Sequence, residues 1–72
     1  MLNKNELQVI KNKDYCFFVC DILDGLKVLS GWEYAEDALD SIRDEEAACK
    51  YYKKNYKLKV YTRTYLNSII SK

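Results

Sequence analysis

The chain has 72 residues, 49% apolar and 32% charged, with two glycines, no proline and no histidine. A chain of this length makes one domain, residues 1–72, and hides only about 60% of its unfolded surface, which leaves little room for both a core and a deep catalytic cleft. The composition excludes a disordered polymer and a flexible linker, and no apolar run reaches the roughly 18 residues needed to cross a bilayer.

From Met1 to Lys13 charges recur every few residues without an apolar stretch, so the start does not read as a secretory leader. Residues 5–11 suggest a short strand. Asn12-Lys13-Asp14 is a turn signal. Tyr15 to Cys20 is the clearest strand, being aromatic, β-branched and uncharged. It lacks polar alternation, which fits a central strand covered on both faces. Asp24-Gly25 offers the positive-φ residues of a hairpin turn, and Leu26 to Leu29 returns as the partner strand.

A long helix is expected next. Ser30 and Glu33 have capping-box spacing, with Leu29 and Tyr34 placed as a hydrophobic staple. Ala35, Ala38, Leu39, Ile42, Cys49 and Tyr52 keep a 3.6-residue rhythm. Asp44-Glu45-Glu46 interrupts it, leaving open a kink or two shorter helices, and Asn55 is a stop signal. Lys57 to Thr62 reads as the last strand. Thr62 or Thr64 then caps a short helix with Tyr65, Leu66, Ile69 and Ile70 on one side. The expected order is β-β-β-α-β-α. This is an α+β fold, with a small antiparallel sheet of three or four strands and one long helix packed on one face.

The net charge of +1 conceals a sharp division. Residues 1–49 hold all eleven carboxylates and five cations (Lys4, Lys11, Lys13, Lys27 and Arg43), a net of −6. Residues 50–72 hold seven cations and no acid, a net of +7. Such a split points to a charged partner. Acids at a helix start and lysines at its end complement the macrodipole, but that field fades within one turn, so it cannot account for Asp40 or Asp44. Moreover Glu33–Asp37, Glu36–Asp40 and Asp40–Asp44 are like-charge i,i+4 pairs, each mildly destabilising. Trp32, at a strand-to-helix junction, serves either as a lid on the core or as an interface anchor. Trp32, Glu36, Asp37, Asp40 and Asp44 are therefore the protein-binding candidates, set against a plain solvated helix face.

Lysines interleaved with tyrosines over 50–65 suit nucleic acid, because cations displace phosphate counterions and rings stack on bases. Lys53, Lys57, Lys59, Tyr61 and Arg63 are the candidates there. Lys59, Tyr61 and Arg63 share the strand face opposite Leu58 and Val60, which is an open sheet face if only one helix covers the sheet. No RNP-type motif accompanies them. The plainer alternative is that the tyrosines edge the core and the lysines confer solubility.

Chemistry has little support. The usual base near neutral pH is missing, and no Gly-rich phosphate loop occurs. The three cysteines, Cys16, Cys20 and Cys49, are odd in number and read as reduced thiols in a cytoplasmic protein. On one strand Cys16 and Cys20 would lie about 13 Å apart, too far for a disulfide. Without histidine or a second cysteine pair a zinc site is not expected. The sequence thus suggests a non-enzymatic protein-interaction or regulatory module with no cofactor and no metal. Its partner is another protein or a second copy of itself, with nucleic acid as the alternative and no membrane.

Overall fold

The computed structural model describes residues 2–70. The elements are α1 (Lys4–Lys11), β1 (Phe17–Asp21), β2 (Lys27–Trp32), α2 (Ala35–Tyr51), β3 (Leu58–Thr62) and α3 (Arg63–Ile70). The strands form one antiparallel sheet in the order β2-β1-β3. The fold is α+β, as expected, with the longest helix laid on one sheet face.

The first element is a helix where the sequence suggested a strand. The Asn3 side chain accepts from the Glu6 amide at 2.9 Å, and the Glu6 carboxylate accepts from the Asn3 amide at 3.3 Å. This reciprocal box satisfies two of the amides that a helix start leaves unpaired. Leu7, Val9 and Ile10 then turn inward, while Lys4, Asn5, Gln8 and Lys11 stay exposed.

β1 is the central strand, and Phe18, Val19 and Cys20 are fully buried. Its alternate residues serve two layers. Phe18 and Cys20 join Ile10 of α1, Val28 of β2 and Leu66 of α3 in the main cluster, edged by Val9, Tyr15, Tyr61 and Ile69. Val19 points the other way, toward α2, whose buried residues are Ala38 and Cys49. The sheet is thus sandwiched, with α1 and α3 on one face and α2 on the other. The open sheet face that a single covering helix would leave is absent, because two short helices occupy it.

β1 and β2 form a hairpin whose turn uses Gly25 at φ 105°. Val19 pairs with Ser30 but Cys20 pairs with Val28, so Leu29 is an extra residue, a bulge that leaves its side chain exposed. β2 runs on to Trp32, since Phe17 and Phe18 still find partners in Trp32 and Gly31. That overrides the expected cap. Ser30 sits in the strand, and its hydroxyl accepts the Trp32 indole N–H at 2.7 Å. α2 begins at Ala35 behind Tyr34, with no side-chain cap.

α2 is one continuous helix of 17 residues through Asp44-Glu45-Glu46. It ends before Asn55, at a Schellman motif. Lys53 adopts φ 54°, its amide donates to the Lys50 carbonyl at 3.2 Å, and the Lys54 amide donates to Cys49 at 2.8 Å. Asp21 closes the far end of the sheet. Its Oδ1 accepts from the Leu23 amide at 3.1 Å and the Lys57 amide at 3.2 Å, tying the hairpin loop to the approach of β3. Thr62 caps α3, its hydroxyl accepting from the Tyr65 amide at 3.2 Å.

Candidate functional site

The continuity of α2 decides where its charges point. With Ala38 and Cys49 against the sheet, a period of 3.6 residues turns Glu36, Asp40 and Asp44 outward, with Asp37 beside them. All four are exposed. Large apolar groups border them: Leu39 is 57% exposed on the helix itself, Tyr34 is 62% exposed before it, and Tyr51 and Tyr52 are 81% and 75% exposed at its end. Tyr51 and Tyr52 meet edge to face, with centroids 5.0 Å apart. Trp32 is half-buried at the end of β2, on the α2 side of the sheet, with its N–H already bonded to Ser30.

The basic candidates are divided among different jobs. Lys53 holds the positive-φ position that ends α2. Lys57 and Lys59 are exposed on and before β3. Tyr61 packs against the main core and contacts Tyr65 at 4.7 Å between centroids. Burial, then the neighbouring Tyr65 and Cys20, push its phenol upward. Arg63 is half-buried; its guanidinium donates to the Asn12 and Tyr15 carbonyls and lies 5.3 Å from the Phe18 ring centroid. Lys59, Tyr61 and Arg63 therefore do not make a free aromatic-basic platform. Two of them hold α1, β1 and α3 together.

Two clefts flank α1. One, of about 510 Å³, is lined by Asn5, Glu6, Asp24 and Lys27 among others. Its Glu6 carboxylate is committed to backbone, one oxygen to Asn3 and the other to the Val28 amide at 2.7 Å. The second, of about 570 Å³, is an apolar groove lined by Leu2, Leu7, Leu26, Ile69 and Ile70. Cys20 is buried under α1, where desolvation and then the nearby Glu6 charge raise its thiol to about 12, far from a nucleophile's range. Cys16 is exposed and Cys49 buried, and all three cysteines are unpaired. Among the described residues no three Cys, Asp or Glu side chains gather to hold a metal ion, and no helix is long and apolar enough to cross a membrane.

The importance of Glu6 and Arg63 as ties between layers was not evident from spacing. For Glu6 the signal was present, as Asn3-x-x-Glu6. For Arg63 only the fold reveals it. No protein-family model matches the chain, and no curated protein or solved structure is significantly similar to it.

Proposed function

We propose that this chain is a non-enzymatic protein-interaction module of the cytoplasm, which docks a basic segment of another protein on the outward face of α2. One observation carries the reading: that face combines exposed carboxylates at Glu36, Asp37, Asp40 and Asp44 with exposed Leu39, Tyr34 and Tyr51. The like-charged pairs Glu36–Asp40 and Asp40–Asp44 cost α2 a few tenths of a kcal/mol each, Glu33 lying outside the helix, and the apolar groups gain nothing from solvent. A basic, partly apolar partner would relieve both. Trp32, half-buried beneath the start of the helix, supports the face rather than making contact itself. The unpaired thiols support a reducing compartment.

The test is charge reversal. Asp37→Lys with Asp40→Lys should leave the unfolding transition within about 0.5 kcal/mol of the parent, because both sites are exposed. It should also abolish capture of the partners retained by the unaltered protein, and any self-association seen by sedimentation. Equal capture by both proteins would refute the acidic face.

Nucleic acid remains the second reading because Tyr51 and Tyr52 stand exposed beside Lys50, Lys53 and Lys54. About five phosphate contacts there would give a log–log salt slope near −4 to −5. Absence of binding to single- or double-stranded probes at low salt would remove this reading.

A further inference from the structure

β3 is an edge strand, and its register with β1 is unbroken from Phe17–Thr62 to Asp21–Leu58. The hydrogen-bond parity is fixed at both ends. The Arg63 amide donates to Cys16 at 3.1 Å, and the Ile22 amide donates to Lys57 at 2.9 Å, each between directly opposite residues. Bonded and non-bonded pairs alternate in an antiparallel ladder. Lys59 and Tyr61 therefore also turn their peptide groups toward β1, and Leu58, Val60 and Thr62 turn theirs away from the sheet. Thr62 caps α3, so its carbonyl is not counted on the outer edge. Among the described residues, the amides of all three and the carbonyls of Leu58 and Val60 remain for the outer edge.

The opposite edge is treated differently. β2 carries the Leu29 bulge, and its Val28 amide is covered by the Glu6 carboxylate of α1. Both are recognised ways of closing an edge. β3 is regular and has only Lys59 at its middle.

We propose that the outer edge of β3 receives an extended segment of another protein in which acidic residues alternate with apolar ones, adding a fourth strand. Side chains of an added strand alternate between the two sheet faces. On one face it would meet Lys57 and Lys59, both exposed, with no carboxylate anywhere in residues 50–72. On the other it would lie against Leu58 and Val60, both half-buried. Asp21, opposite Leu58, lies on that second face with Oδ1 held by two amides, so it does not oppose the acids. A second copy is a poorer occupant, since two-fold pairing about Val60 sets Lys57 against Arg63 of the other molecule. This edge is separate from the acidic face of α2 and stands or falls without it.

Amide exchange followed by NMR on the labelled full chain tests the proposal. The probe is a blocked heptapeptide of alternating glutamate and valine. In the free protein the Leu58, Val60 and Thr62 amides should exchange at least about tenfold faster than those of Lys59 and Tyr61. Saturating peptide should slow those three. Lys59→Glu should weaken binding at least about fivefold. Val60→Pro should abolish it, since it removes an outward N–H that the added strand needs, while the sheet keeps its own ladder bonds; if that variant unfolds, Lys59→Glu decides. Asp37→Lys with Asp40→Lys should leave peptide binding unchanged. Slow exchange of the three amides in the free protein would overturn the proposal, as would shifts confined to other elements. So would equal binding of a peptide with the same residues in two blocks, or tighter binding of an oligonucleotide at Lys59.

Discussion

Glu6→Ala should be among the most destabilising changes of a surface-reachable residue in this protein. Its carboxylate makes two contacts of different reach. One oxygen completes the box at the start of α1, and the other accepts the Val28 amide 22 residues away. Losing its exposed half of the box costs about 0.5–1 kcal/mol, since Asn3 still accepts from the residue-6 amide. Leaving the part-buried Val28 donor without its charged acceptor costs about 1–2 kcal/mol more. The sum of about 1.5–3 kcal/mol is large beside the roughly 4–11 kcal/mol expected for a domain of this size. At about 4–8 °C per kcal/mol it lowers Tm by some 6–24 °C. Glu6→Gln keeps an acceptor oxygen of similar shape and should cost about half as much. Urea unfolding followed by Trp32 fluorescence, alongside Gln8→Ala on the exposed side of the same helix, measures all three. Losses under about 0.5 kcal/mol for both Glu6 variants would refute the claim that this carboxylate joins α1 to β2.

Three further outcomes follow from the structure. Lys53→Gly should stabilise by about 0.5–1 kcal/mol in the same urea assay, because Lys53 holds φ 54° where glycine has no Cβ conflict. Gly31→Ala should cost about 1–3 kcal/mol, since its Cβ would fall on the Tyr15 ring, 2.8 Å from Cγ, with Tyr15 packed against the core. The Cys20 thiol, raised by burial from 9.0 to about 12, stays protonated in the folded chain while the unfolded chain ionises, so stability is intact below pH 9 and falls between pH 9 and 12. The slope approaches about 1.4 kcal/mol per pH unit, Tyr61 contributes with the same sign, and Cys20→Ala should flatten the part due to the thiol.

Much of the architecture was legible because local and tertiary signals agreed. The uncharged run Tyr15 to Cys20 marked a strand covered on both faces, and β1 is that strand. The 3.6 rhythm through Ala38, Ile42 and Cys49 marked α2, and Thr62 capped α3 as its hydroxyl chemistry suggests. Failures arose where two signals competed. Residues 5–11 were ambiguous as a short apolar run, and the Asn3–Glu6 box decides for helix. Ser30 and Glu33 had the spacing of a cap, but pairing with Phe17 and Phe18 holds residues 30–32 in the sheet. The acid triplet at 44–46 did not break α2, since Asp44 faces solvent and Glu45 and Glu46 are only half-buried. Among the candidate site residues, exposure along α2 could be read from periodicity. The inward roles of Tyr61 and Arg63 could not, because they depend on α1 and α3 meeting over the same sheet face.

The macrodipole now separates explained charges from unexplained ones. Glu36 and Asp37 lie in the first turn of α2, and Lys50 in its last, with Lys53 and Lys54 on the closing motif. These charges each favour the helix by about 0.3–1 kcal/mol. Asp40 and Asp44 lie beyond the first turn, and Lys57 and Lys59 belong to β3 and its approach, so the helix field reaches none of them. The two unexplained pairs also occupy different layers. Asp40 and Asp44 face outward from α2, on one side of the sheet. Lys59 pairs with Cys20 and so shares the other face, with α1 and α3. One flat epitope cannot cover both. Opposite charges on opposite layers fit the two separate contacts proposed above, a basic segment on α2 and an acidic strand beside β3.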